Sequence, residues 1–194
     1  MPAEESQVPN PKEALIMDAL LKLINEQGYH SLAVPQIARE AGVATGTLYN
    51  YFESKAALLQ ALYAREKTRM GAALNAGDDP KATYPARFRG FLQRLFRYFV
   101  QHPASFLFLE TYGESPLIPQ TVRLAQRHHY QPATEFLAQG IELGFIRPAD
   151  PALLTVIVYS NVVAAVRYHF GPDGPLSDAA QETCFSIAWE GVRA

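Results

Sequence analysis

From Lys12 to Gln27 the apolar residues Leu15, Ile16, Ala19, Leu20, Leu23 and Ile24 recur at i, i+3 and i+4, and most later segments keep the same spacing. That period puts the apolar side chains on one helical face. No segment alternates β-branched and polar residues in the way a half-buried strand does, so the expectation is an all-α chain. Turn residues divide it. Gly28 stops the first helix, and "VPQIAREAG" reads as a short second one that tolerates Pro35 because it lies in the first turn. Gly42 breaks that helix, and Leu48 and Phe52, four apart, give the next segment its buried stripe. Ser54 can cap a fourth helix running through Leu58, Leu59, Leu62 and Tyr63 to about Asn75. After the loop "NAGDDP" a long helix ends at Pro103, and further helices are expected at 103–112, 119–143 (broken near Pro132), 150–170 and 177–193, about nine in all.

Composition excludes several classes. Hydrophobic residues at 48% and charged residues at 19% describe a globular chain with a core. A net charge of −2 gives no global basicity to advertise nucleic acid. The single cysteine, Cys184, cannot build an internal disulfide framework or a cysteine metal site, which points to a cytoplasmic protein. The start, "MPAEESQVPNP", is acidic and has no apolar run of the signal-peptide kind, so residues 1–9 are expected to be a disordered tail. The most apolar stretch, Pro151 to Val166, is interrupted by Thr155, Ser160 and Asn161, so it is expected to be buried in protein rather than membrane.

A helix followed by two short helices around a glycine turn is the layout of a helix-turn-helix, whose second short helix enters the DNA major groove. Ile37, Ala38, Val43, Leu48 and Phe52 are placed inward, which leaves Thr45, Gly46, Tyr49 and Asn50 outward. Asparagine can read adenine, threonine can bond base edges or touch a thymine methyl, and Gly46 lets the backbone approach the groove.

The stretch "GYHSLAVPQIAREAGVATGTLYNYFESKAALLQAL" closely resembles the N-terminal signature of the tetracycline-repressor (TetR) family of transcriptional regulators. The resemblance covers about residues 12–63 and implies a helix-turn-helix DNA-binding domain over 10–56, followed by a larger ligand-binding and dimerisation domain over 57–194. It implies that Thr45, Gly46, Tyr49 and Asn50 reach bases, that Thr47, Tyr51 and Lys55 hold phosphates, and that Gln36 joins the DNA surface. Lys55 at a helix N-terminus opposes the helix macrodipole, and a phosphate there would relieve the conflict.

Two departures stand out. Alanines (Ala33 and Ala44) occupy places where Ser or Thr commonly caps the second and third helices, and Pro35 offers no side chain to a phosphate. From Lys12 to Lys55 the cations are Lys12, Lys22, Arg39 and Lys55, against the anions Glu13, Asp18, Glu26, Glu40 and Glu53. Modest affinity per domain and dependence on a homodimer follow.

The last two helices are apolar on two sides each and so must be covered twice. Val156, Val163, Val166, Phe185, Trp189 and Val192 are the candidates for a dimer interface, which the resemblance places in a four-helix bundle. Aromatics crowd the region from Phe88 to Tyr130. For a pocket holding a small apolar or aromatic effector, the candidates are Phe96, Phe108, Tyr112, His128, His129 and Asn161. Glu110, on a mostly apolar helix, calls for an arginine partner from 87–97. The implied function is a repressor released from a palindromic double-stranded operator by that effector, with no cofactor, metal, catalytic residue or membrane involved. The rivals are a helical interaction module without DNA binding, and an all-α enzyme or metal protein using His102, His128, His129, His169 and Glu110. For the second no nucleophile–base pairing or metal spacing speaks.

Overall fold

The computed structural model describes residues 10–194; the tail expected over 1–9 lies outside them. The described residues form ten α-helices: α1 (Pro11–Gln27), α2 (Val34–Glu40), α3 (Thr45–Tyr51), α4 (Lys55–Asn75), α5 (Tyr84–Gln101), α6 (Pro103–Tyr112), α7 (Gln120–Ala125), α8 (Gln131–Glu142), α9 (Pro151–His169) and α10 (Asp178–Val192). Their one extended pairing is a lone antiparallel bridge between Ile146 and Arg193. The single helix expected over 119–143 is two helices separated by a 3-10 turn at Arg127–His129. Proline lacks an N–H and disfavours helical geometry in the residue before it, so the chain starts a new helix that takes Pro132 into its first turn.

Side-chain oxygens cap several helix starts, although Thr83 at the head of α5 makes no such bond. Asn10 accepts from the Lys12 N–H at 3.1 Å, Ser54 from Ala57 at 3.0 Å, Asp150 from Ala152 at 2.9 Å and Ser177 from Ala180 at 3.2 Å. Ala33 and Ala44 stand at the N-caps of α2 and α3 with no such bond.

The chain divides into two compact units. One joins the N-terminal part through Glu66 to Ala104–Arg123, and the other joins Lys67–Pro103 to Leu124–Ala194. In the first, Ile16, Leu20 and Ile24 of α1 meet Ile37, Leu48, Leu58, Leu59 and Leu62, each 1% exposed or less. Full burial of side chains this size contributes roughly 1.5–3 kcal/mol each. Within this core lies the carboxylate of Glu66, itself 0% exposed. It accepts from the Ser105 hydroxyl at 2.6 Å and the Arg65 Nε at 2.9 Å, and Arg65 in turn reaches Asp18 at 2.7 Å. A buried carboxylate paired with an arginine is thus Glu66, a residue that sequence pattern alone does not mark. Of the arginines between 87 and 97, Arg87 bonds Asp78, Arg89 pairs with Glu182 and Arg94 donates to the Leu74 carbonyl.

In the second unit α9 packs against α5, α8 and α10. It is longer than the apolar stretch read from sequence, and by length and composition it reaches what a membrane span needs. Even so, it buries Leu154, Val158, Val162, Val163, Ala165 and Val166 against its neighbours, as a core helix does. Tyr84 at the head of α5 is stacked between Phe136, at 4.4 Å, and Phe145, at 5.0 Å. Its hydroxyl donates to the Phe136 carbonyl at 2.9 Å, and burial pushes its ionisation well above the usual tyrosine range.

Two stability measurements follow. Ser105→Ala leaves a buried carboxylate short of a donor and is expected to lower unfolding free energy by about 1.5–3 kcal/mol, the usual worth of a hydrogen bond to a charged group. Ala44 already has extended N-cap geometry (φ −68°, ψ 146°). Ala44→Ser is therefore expected to raise stability by about 1 kcal/mol in chemical denaturation, and an unchanged midpoint would mean that α3 is already capped by another group.

Candidate nucleic-acid interface

The reversal between α2 and α3 is closed by a Schellman motif. The Val43 N–H donates to the Ala38 carbonyl at 2.9 Å and the Gly42 N–H to Arg39 at 3.1 Å. Gly42 sits at φ +68°, a left-handed conformation that a residue with a Cβ adopts at a cost, so the sharp turn rests on glycine. Ile37, Ala38, Leu48 and Phe52 are buried as expected, while Val43 is half-buried. The two helices are thereby locked back to back with one face of α3 turned outward.

On that face Tyr49 is 50% exposed, Asn50 and Gly46 are exposed, and Thr45, Thr47 and Tyr51 are half-buried. A Cβ built on Gly46 meets nothing within 4 Å, so this backbone is open to a close approach. Among the described residues no other side chain holds the Tyr49 hydroxyl or the Asn50 amide. A short helix that presents a phenol, an amide and hydroxyls from a rigid base can hydrogen-bond base edges and phosphates.

Two of the expected contacts have other partners in the structure. The Gln36 side-chain Oε1 accepts from the Ala33 N–H at 2.7 Å, which is the glutamine half of a capping box whose other half alanine cannot supply. The Lys55 ammonium donates to the carbonyls of Tyr29 and Leu32, both at 2.7 Å, and lies 4.1 Å from the centre of the Tyr29 ring. The conflict between this cation and the N-terminus of α4 is thus relieved by backbone carbonyls, with desolvation holding the ammonium below the usual lysine range. Lys22 is likewise occupied, bound to Glu40 at 2.6 Å.

The candidate effector residues do not converge. Phe108 and Tyr112 belong to the first unit, where Phe108 is core and the Tyr112 hydroxyl accepts from the Tyr29 N–H at 3.1 Å. Phe96 is buried against Phe185 and His169. His128 bonds the Ala125 carbonyl at 2.8 Å, and His129 bonds Thr68 at 3.0 Å. Burial, followed by the charges of His128 and Lys67, lowers the tendency of His129 to protonate. The Asn161 Oδ1 is enclosed without a hydrogen-bond partner. A small cavity of about 40 Å³ in the second unit is walled instead by residues of α4, α5, α8 and α9 with Tyr130, among them Met70, Phe88, Phe91, Leu137 and Val158; its lining is almost wholly apolar, and the Thr155 hydroxyl is engaged by the Pro151 carbonyl and Thr134. None of the six expected residues lines this cavity.

Most of the residues expected at a dimer face are turned into the second unit. Val163, Val166, Phe185 and Val192 are 7% exposed or less and fill the unit's own core, and Trp189 packs on Phe88 at 5.2 Å. Only Val156 of the six is open, at 60%. The apolar residues turned outward from α9 and α10 are Leu153, Val156, Ile157, Tyr168 and Ile187.

With this geometry in view, comparison with known proteins is specific. Residues 16–62 match the model of bacterial regulatory proteins of the tetR family. The transcriptional regulator UidR of Escherichia coli K12 is 28% identical over 200 residues, covering 95% of this chain and 90% of that protein. The fatty acid metabolism regulator protein of Bacillus subtilis is 46% identical over 61 residues, a match spanning only 30% of its length. A crystal structure of a tetR-family transcription regulator from Shewanella sp. PV-4 superimposes with a TM-score of 0.88 at 26% identity, covering 95% of this chain and all of that one. Motif, all-helical architecture and full-length relatives agree: residues 16–62 form a DNA-binding domain of the tetR-family type, and the chain as a whole is similar to transcriptional regulators of that family.

Proposed function

We propose that this chain is a homodimeric transcriptional repressor, released from a palindromic operator when a small apolar ligand enters its second unit. The observation that carries the reading is the outward face of α3, where Tyr49, Asn50 and Gly46 are presented on a sealed core. Thr45, Gly46, Tyr49 and Asn50 face bases; Gln36, Thr47 and Tyr51 face the backbone. One recognition helix reads only a few base pairs, so two copies related by a two-fold axis are needed to read half-sites about one turn apart.

The copies meet through the apolar strip left open on α9 and α10: Val156 and Ile187 are 60% and 61% exposed, and Leu153 54%. An apolar strip of this kind on a soluble chain marks an interaction surface. The cavity bounded by Met70, Phe91 and Val158, about 40 Å³ as it stands, is the seat of the effector once α5, α8 and α9 part to widen it. Its wall is almost wholly apolar and holds no lysine or arginine, so an uncharged, apolar guest fits it. A tenfold loss of operator affinity requires the guest to prefer the released state by only about 1.4 kcal/mol.

Gel shift on DNA flanking the chain's own gene tests the reading. Asn50→Ala is expected to cost about 1–3 kcal/mol of discrimination at one base pair per half-site, and Tyr49→Ala to weaken binding; parental affinity in both would refute the recognition-helix assignment. Because acidic side chains outnumber basic ones in this domain, the salt dependence should correspond to fewer than ten phosphates per dimer. Val156→Glu is expected to give a monomer in sedimentation that no longer shifts the DNA. A dimer of parental stability would place the interface elsewhere.

A further inference from the structure

Lys55 sits at the start of α4, yet its ammonium is directed at the connection between α1 and α2. That connection is a tight turn in which the Leu32 N–H donates to the Tyr29 carbonyl at 3.3 Å, just after Gly28 ends α1 at φ +75°. Both end carbonyls of the turn, Tyr29 and Leu32, accept from Lys55 at 2.7 Å, and the Tyr29 ring lies against the same cation. From the other side the Tyr112 hydroxyl of α6 accepts the Tyr29 N–H at 3.1 Å. The Tyr29 backbone is thus held at its N–H by α6 and at its carbonyl by α4. Two residues beyond the turn α2 begins, at Val34, and α2 carries the Schellman turn on which α3 is hung.

We infer that Lys55 is a positioning residue: its ammonium latches the Tyr29–Leu32 turn, fixing the start of α2 and hence the pose of α3, rather than serving as a phosphate ligand. Tyr112 is the second half of the latch. A cation in this place has a specific advantage over a neutral donor. It can bond two carbonyls at once, and each charge-assisted bond is stronger than a neutral one. The effect on DNA rests on the function proposed above, whereas the latch itself does not.

The test uses the full-length chain and its Lys55→Met, Lys55→Arg and Tyr112→Phe variants. Hydrogen exchange of the free proteins is expected to show the amides of Tyr29 and Leu32 opening at least tenfold faster in Lys55→Met, and that of Tyr29 in Tyr112→Phe, with α9 and α10 protected as in the parent. Lys55→Arg, which keeps the charge and several donors, should restore most of the protection. In gel shifts, Lys55→Met and Tyr112→Phe should both weaken operator binding at least fivefold, with the parental slope of log affinity against log salt. Parental protection of the turn in Lys55→Met would overturn the latch. A slope reduced by about 1.8 per dimer, the loss of one phosphate contact in each protomer, would overturn the claim that the lysine acts through the turn alone, whether or not the turn also loosened. If the parent shifts no DNA, the function proposed above fails, and exchange still decides the latch.

Discussion

A carboxylate removed from water must be compensated where it lies, and Glu66 at 0% exposure sets that requirement at the centre of the first unit. Its two oxygens are met by Ser105 of α6 and by Arg65, its neighbour on α4. Arg65 then extends to the Asp18 side chain and the Ala14 carbonyl on α1. Three helices far apart in sequence are therefore tied by groups that cannot separate without leaving a charge unpaired. Hydrophobic burial would tolerate α1 sliding against α4 by part of a turn, since one leucine replaces another. The polar network does not, because hydrogen bonds have narrow distance and angle limits.

That fixed register explains why the helix-turn-helix can consist of such short helices. Helices of seven residues are unstable alone, their nucleation cost being barely recovered. Here α2 and α3 also lack side-chain caps. They persist because Ile37, Ala38 and Leu48 are buried where α2 and α3 pack on α1 and on each other, because Gly42 permits the Schellman closure, and because Gln36 supplies half of a capping box. The recognition surface is thus held by packing beneath it, with its outer side chains left unengaged.

The helix-turn-helix was legible in the sequence because each determinant is local: the period of Leu15 to Ile24, the glycine of the turn, and the i, i+4 pair Leu48 and Phe52. What could not be read were the long-range partners. Nothing in the neighbourhood of Tyr112 announces a bond to Tyr29, eighty-three residues away in the chain. The pairing of Glu66 with Ser105 is equally silent, since an acidic residue in an amphipathic helix normally faces water. Of the aromatic band from Phe88 to Tyr130, periodicity gave the helix but not which side of it meets a core and which a cavity. Phe91 and Tyr130 line the cavity while Phe96 and Phe108 are ordinary core. The two-sided apolar pattern of α9 is visible in the sequence, but only three-dimensional packing sorts its residues: Val163 and Val166 go inward and Val156 outward.

The same sorting clarifies how a chain of net charge −2 can be built for an anionic partner. Its cations near the helix-turn-helix are largely spent inside the protein: Lys22 on Glu40, Arg65 on Glu66 and Asp18, and Lys55 on two carbonyls. Each of these uses a positive charge to fix geometry instead of to project a field. A domain made this way gains little from long-range attraction, which falls off with salt over a Debye length of about 8 Å at physiological ionic strength. What it can gain comes at contact, from an amide, hydroxyls and a phenol held in place, so that discrimination depends on how rigidly α3 is posed.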